Sequence, residues 1–107
     1  MSEVVEHRGT LWLWTGGDGG GSWHFLTVDG EAGEQIGAHE AMRRLELGKG
    51  RGFGSVKVEA RIGDTRWKTS VFPSKPNDGF ILPVKLAVRK AEDIVAGDEV
   101  LVELTLL

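Results

Sequence analysis

Cysteine is absent from the 107-residue sequence, so the chain can form neither a disulfide framework nor a thiolate metal site. No apolar run approaches the roughly 20 residues that a membrane-spanning helix needs, and we expect no membrane span. The first nine residues contain neither the basic segment nor the apolar segment of a signal peptide. These absences together predict a cytoplasmic protein.

The local signatures of enzymes and metalloproteins are also missing. The three histidines, His7, His24 and His39, do not occur in HExxH or H-x-H spacing, and no acidic cluster has the spacing of metal ligands. The glycine-rich segments 16–22 and 48–54 do not match the phosphate-binding P-loop or the dinucleotide-binding pattern. We therefore expect no metal, no cofactor, no catalytic residues and no enzymatic activity. A general acid–base pair assembled in space stays open as an alternative, because such pairs leave no local pattern.

The overall composition is that of a folded domain. Hydrophobic residues make up 40% of the chain and charged residues 27%, a balance typical of globular proteins. A chain of this length can bury a core without a disulfide or a metal. We expect residues 1–107 to form a single domain.

Alternating apolar residues predict a mostly β fold. Residues 56–62 and 100–106 place an apolar side chain at every second position, the period of a half-buried strand. Gly63 and Asp64 suit a tight turn into a further strand at 66–72. Shorter strands are predicted at 9–15, 22–28 and 79–82.

Two helices are predicted between strands. Residues 29–47 have a weak helical pattern, in which Gly33 and Gly37 each cost about 1 kcal/mol relative to alanine, so a short or broken helix is expected. Residues 84–94 carry an apolar stripe, and Pro83 suits the first turn of that helix. The order strand, helix, strand thus occurs twice and suggests two similar halves. The predicted fold is a small closed or split β-barrel of six to seven strands with two short helices.

Charge is distributed unevenly along the chain. The net charge is −3, with −6 in residues 1–42, +8 in residues 43–90 and −5 in residues 91–107. The basic middle either forms a basic surface or is neutralised in space by the acidic ends, and both interpretations stay open.

Four residues of the basic middle are the candidate ligand-binding residues: Lys68, Ser70, Lys85 and Arg89. Lys68 and Ser70 share the strand face opposite Trp67. Lys85 and Arg89 are four residues apart and share one face of the second predicted helix, whose N-terminus adds positive potential. The patch would suit a phosphate, a carboxylate or a nucleic-acid backbone.

An alternative interpretation is that Lys85 and Arg89 form solvated ion pairs with nearby acids, which would contribute little. The acids in question are Glu92, Asp93 and Asp98.

A second possible anion site is the loop at 48–54, where Lys49 and Arg51 flank unhindered backbone N–H groups. A mobile basic loop is the alternative. For each of the four tryptophans core packing is expected, whereas a tryptophan lining a groove would suit a planar ligand or a base.

The motifs WKTSVFP (67–73) and GFILPVKLAVRKAEDIVAGDEVLVEL (79–104), with GFGSVKVEARIG (52–63) upstream, resemble the bacterial and archaeal family of domains of unknown function numbered 1905. The resemblance covers nearly the whole chain. It implies a small split β-barrel similar in architecture to the AbrB/MazE-like barrels, in which two chains supply what one chain supplies here. It implies no established activity.

Three functional hypotheses follow. The first is a non-enzymatic binding or interaction module for an anionic small molecule or a protein partner, acting as a monomer or weak homodimer. The second is a nucleic-acid-binding regulator, by analogy with the AbrB/MazE-like barrels. The third is an enzyme whose site forms in the mouth of the barrel.

Overall fold

The computed structural model describes residues 3–16, 21–47, 54–74 and 79–107, which form seven strands and two helices. The elements are β1 (Glu3–Thr10), β2 (Trp12–Thr15), β3 (Ser22–Val28), α1 (Gly30–Leu47), β4 (Val56–Ile62), β5 (Thr65–Ser74), β6 (Gly79–Pro83), α2 (Leu86–Glu92) and β7 (Glu99–Leu106). The mostly β class and the two helices are confirmed.

The strands form one antiparallel sheet, curled into a half-barrel, in the order β1-β7-β4-β5-β6-β3-β2. The two edge strands are neighbours in the chain and are joined through Leu11 alone. Leu11 donates its N–H to the carbonyl of Asp98 at 2.9 Å and accepts a hydrogen bond from Gly97 at 2.7 Å. Leu11 is thus held as a corner between the two edges of the curled sheet.

The strand pairing agrees with the two similar halves that the sequence predicted. With the division between β4 and β5, the second half contains two strands, a helix and a strand, and the first half has the same order if the bent segment made of β1 and β2 counts as one strand. β3 pairs with β6 and β4 with β7, so equivalent strands of the two halves are neighbours. β5 bridges β4 and β6, and the bent segment made of β1 and β2 bridges β7 and β3 in the same way.

The core lies inside the curl of the sheet, where every second side chain points. The four apolar residues of β4 and the four of β7 that alternate in the sequence are all buried. α1 adds Ala32 and Ile36 to this core, and α2 adds Val88. No polar or charged residue is buried among the described residues.

The first predicted strand, residues 9–15, is wrong in its bounds. The structure has a strand from Glu3 to Thr10, then the corner at Leu11, then β2. The corner exists because the backbone of Leu11 bonds to the turn before β7 instead of to a neighbouring strand. Alternation in β1 is weak in the sequence, since His7 and Gly9 occupy inward positions beside Val5.

α1 is one continuous helix of 18 residues, so the short or broken helix predicted there is wrong. A Cβ on Gly33 would lie 2.8 Å from the carbonyl oxygen of Val28, so the helix packs against β3 more closely than a side chain allows. Gly33 therefore permits packing, and the contacts of the helix offset its low propensity. Neither α1 nor α2 has both the length and the apolar character that crossing a membrane requires.

α2 is shorter than the predicted helix at 84–94. It begins at Leu86 and ends at Glu92, with Asp93 in the left-handed conformation at φ 55°. Pro83 ends β6 and does not start the helix. Val84 donates its N–H to the carbonyl of His24 at 2.9 Å, so the hydrogen bonding to β3 continues one residue beyond Pro83. The helix therefore begins only at Leu86. Because α2 has only seven residues, few peptide dipoles align along it, and the contribution expected from its N-terminus to an anion patch is small.

Candidate anion-binding groove

A groove of about 400 Å³ opens where β6 leaves the sheet between β3 and β5. β6 pairs with β3 as far as Pro83, whereas its pairing with β5 ends at the Phe72–Ile81 pair. Beyond Pro83 the chain turns into α2, so β3 and β5 separate with no strand between them. We call this opening the basic groove and define it by five of its lining residues: Trp23, His24, Lys68, Lys85 and Arg89.

The end of the β3–β6 pairing brings three of these side chains to one opening. β6 pairs with β3 as far as Pro83, and Val84 still donates its N–H to the carbonyl of His24 at 2.9 Å. Trp23 precedes His24 and Lys85 follows Val84, so the two residues flank the point where the pairing ends. Lys68 lies in β5, whose pairing with β6 ends at Phe72, and it lines the same groove as Trp23 and Lys85.

The charge of the groove is of one sign. Lys68, Lys85 and Arg89 line it, and no carboxylate is among its lining residues in the described part of the chain. Arg89 is half-buried, and its Nε donates a hydrogen bond to the carbonyl of Val84 at 3.1 Å. That bond holds the guanidinium beside the groove. The two lysines are exposed and free to adjust.

Two of the three acids considered as alternative partners of Lys85 and Arg89 form hydrogen bonds elsewhere. Glu92 accepts a hydrogen bond from the hydroxyl of Thr65 at 2.6 Å, and Asp98 accepts one from the backbone N–H of Val95 at 2.9 Å. Among residues 3–16, 21–47, 54–74 and 79–107, no ion pair of Lys85 or Arg89 is formed. Lys68 lies opposite Glu59 in the β4–β5 pairing, but it forms no ion pair either among the described residues.

His24 adds a titratable group to the lining of the basic groove. Its side chain is half-buried, and its Nδ1 is buried without a hydrogen-bond partner among the described residues. Burial lowers the pKa of His24 below its ordinary value, and the positive charge of Arg89 lowers it further. The neutral ring thus predominates at neutral pH. In this form one ring nitrogen donates a hydrogen bond and the other accepts one.

An exposed aromatic surface borders the groove. Trp23 is 55% exposed, and its ring is nearly parallel to that of Phe25, with centroids 6.2 Å apart. Trp14, the partner of Trp23 across the β2–β3 pair, is 48% exposed. Trp12 is half-buried and donates its indole N–H to the hydroxyl of Thr27 at 2.9 Å. Core packing is confirmed for Trp67 alone among the tryptophans and is wrong for Trp14 and Trp23.

The structure brings together three of the six residues that the sequence singled out. Lys68, Lys85 and Arg89 meet at the groove. Ser70 is half-buried in β5 opposite Lys57 of β4, and it is not among the residues that line the groove. Lys49 and Arg51 lie outside the described residues, so the anion loop predicted there stays a prediction.

Sequence reasoning did not include Trp23 and His24 among the candidate binding residues, although it left open that a tryptophan lining a groove binds a planar ligand. Both lie 60 residues or more from Lys85 in the chain and reach it only through the β3–β6 pairing. No local pattern encodes that register. The one available signal was the four-tryptophan content, which exceeds what so small a core buries here.

A second groove, of about 340 Å³, has the opposite charge. It lies between β1, β4, β7 and the end of α2, and it is lined by Glu6, Glu92, Glu99, Glu103 and Arg61. The hydrogen bond from Arg61 to Glu103 at 3.2 Å lowers the pKa of the Glu103 carboxyl and raises the pKa of Arg61. Part of the basic middle is thus neutralised by the acidic ends here. In the part of the chain that the structure describes, no three His, Asp or Glu side chains are placed to hold a metal ion.

Comparison with known proteins identifies a family. A family model described as "Domain of unknown function (DUF1905)" matches residues 7–104. A comparison with curated proteins gives no match. The matched segment includes every element from the end of β1 to β7, and with them the whole basic groove.

Proposed function

The chain belongs to the DUF1905 family, whose description assigns no activity, and we propose from the groove itself that the protein is a non-enzymatic module that binds a small anion. The observation that carries the proposal is the convergence of three cations on one groove that no described carboxylate lines. A cluster of like charges lowers stability unless a counter-charge joins it, and a bound anion supplies that counter-charge.

The three cations have complementary roles in this proposal. Arg89 is oriented by its bond to Val84 and presents the planar guanidinium that suits a carboxylate or a phosphate. Lys68 and Lys85 line the groove with exposed side chains and act as adjustable point charges. The groove volume of about 400 Å³ falls in the range of small-molecule sites.

The setting proposed for this activity is the cytoplasm of a bacterium, with the protein a monomer or weak homodimer. A chain without cysteine is suited to a reducing compartment, since its stability does not depend on a disulfide. The anionic ligand is then a cytoplasmic metabolite or a charged group on a partner.

The test is the affinity for two anions that carry no aromatic ring, sulfate and ribose 5-phosphate, measured by calorimetry. The variant Lys68→Gln/Lys85→Gln removes two positive charges from the groove. We expect its affinity for both anions to fall about tenfold, because each exposed cation contributes up to about 1 kcal/mol and two are removed. Its unfolding temperature should stay close to wild type, since both lysines are exposed.

The matched control is Lys57→Gln/Lys90→Gln, which removes the same charge from exposed positions outside the groove. It should bind both anions like the wild type. Equal losses of affinity in the two double variants would show that anion binding depends only on the net charge of the protein and not on the groove. No binding of either anion by the wild type would refute the proposal.

A nucleic acid is the second candidate ligand, because exposed tryptophans border the same cations. Neutralisation of phosphates by lysine and arginine makes such binding fall steeply as salt increases. Oligonucleotide binding with that salt dependence, lost in the groove variant, would favour this candidate over a small anion.

A further inference from the structure

We propose that the ligand of the basic groove carries a planar aromatic ring, which stacks on the indole of Trp23 while its anionic group binds the cations of the groove. This inference rests on the proposed function, because it concerns the same site. It adds the chemical class of the ligand: an aromatic or heteroaromatic ring bearing a phosphate or a carboxylate.

The position of Trp23 next to the charges is the first support. Trp23 lies on the outer face of β3, since its neighbours Leu26 and Val28 alternate onto the buried face. Lys85 follows Val84, whose N–H bonds to the carbonyl of His24, and His24 is the residue after Trp23. Trp23 and Lys85 line the same groove, so a ring on the indole directs its anionic substituent into the space that the cations line.

The second support is that Trp23 is exposed and yet held in place. Its indole is 55% exposed, although the ring is large and apolar. Phe25 lies parallel to it at an interplanar angle of 9°, and Trp12 packs on Phe25 with ring centroids 5.2 Å apart. A strand and two neighbouring aromatic rings thus hold an indole that is more than half exposed, which is the arrangement of a stacking platform.

The third support is the apolar lining between the indole and the cations. Pro83 and Leu86 line the groove, and Leu86 is exposed at the start of α2. A simple inorganic anion would use the three cations and leave these apolar groups in water. A ring-bearing anion covers them, so the groove as a whole is complementary to a ligand with an apolar part and a charged part.

The experiment compares two matched pairs of probes by calorimetry on the intact protein. Adenosine monophosphate is compared with ribose 5-phosphate, and indole-3-acetate with acetate. For at least one pair, the member with the ring should bind tenfold tighter or more, within the roughly 5- to 150-fold that stacking on one aromatic side chain contributes. A preference in the first pair identifies a nucleotide-like ligand, and a preference in the second identifies an aromatic acid.

The variant Trp23→Ala should remove the preference for the ring and leave the affinity for ribose 5-phosphate unchanged. Trp23→Phe should restore part of the preference, which separates stacking from a folding defect. The matched control is Trp14→Ala, because Trp14 is an equally exposed tryptophan on the side of Trp23 away from Lys85. It should keep the preference.

The outcomes separate this inference from the proposed function. If the ring-free anions bind and neither pair of probes shows a preference for the ring, the inference is wrong, whereas the proposed anion-binding function is supported. An equal loss of preference in Trp14→Ala and Trp23→Ala would also overturn it, because recognition would then belong to the aromatic surface in general. No binding of any probe would overturn both.

Discussion

At the scale of single residues, the charge of the basic groove depends on pH because His24 is one of its lining residues. Burial and the neighbouring Arg89 lower its pKa, and Lys68 and Lys85 line the same groove. In the unfolded chain the ring has its ordinary pKa of about 6.5, so that chain takes up a proton first as the pH falls. His24 therefore lowers the free energy of unfolding as the pH falls from 6.5 towards the pKa in the folded protein.

A bound anion should reverse this effect, because it offsets the field of Arg89 and favours the imidazolium. We expect the pKa of His24 to rise when sulfate binds, and the affinity for sulfate to increase as the pH falls below 6.5. Sulfate is the suitable probe because it does not titrate in this range. NMR titration of the His24 ring with and without sulfate measures the shift.

His24→Gln keeps a polar side chain and should make the affinity for sulfate independent of pH in this range. His7 and His39 provide internal references, because neither lines the basic groove. If the pKa of His24 is the same with and without sulfate, the anion does not bind near His24 in the basic groove.

At the scale of helices and strands, the two inner glycines of α1 have opposite roles. A Cβ on Gly33 would meet the backbone of Val28 at 2.8 Å, whereas a Cβ on Gly37 would meet nothing within 4 Å. Gly33→Ala should lower the free energy of unfolding by about 1–3 kcal/mol, as overpacking typically does. Gly37→Ala should raise it by up to about 1 kcal/mol through helix propensity.

Urea unfolding of the two variants measures this difference, and each variant is the control for the other. Stabilisation by both substitutions would mean that α1 does not pack on β3 as closely as the structure shows.

The sequence predicted those elements whose pattern is set by neighbours along the chain. β4 was predicted with the bounds it has, because Val56 to Ile62 alternate strictly and Gly63 supplies the turn at φ 57°. The continuity of α1 was not predictable, since the contact that makes Gly33 useful is with β3, a separate element. The sequence grouped Lys68, Lys85 and Arg89, but the helix face expected for Lys85 and Arg89 is wrong, because α2 begins at Leu86. Trp23 lies beside them through strand pairing that only the folded sheet defines.

At the scale of the whole molecule, Leu11 joins the two edges of the curled sheet. Its side chain is fully buried, whereas that of Leu13, two residues on, is 47% exposed. Leu11→Ala should lower the free energy of unfolding by about 2–5 kcal/mol, since it leaves a cavity where both edges meet. Leu13→Ala should change it by about 0.5 kcal/mol or less.

Thermal and urea unfolding of the two variants provide the comparison. Similar small effects would show that the edges of the sheet are held by their strand pairing and not by the corner. A large loss in Leu11→Ala alone would identify the corner as the closure of the half-barrel.

The pairing of β1 with β7 sets Glu3, the first described residue, opposite Leu106. A tension applied at these two residues would load the β1–β7 ladder one residue pair at a time, and not all pairs at once as in shear. We therefore expect β1 and β7 to separate at a lower force than the same ladder would need in shear. The strands of the basic groove, β3, β5 and β6, are not in the pair that carries this load first.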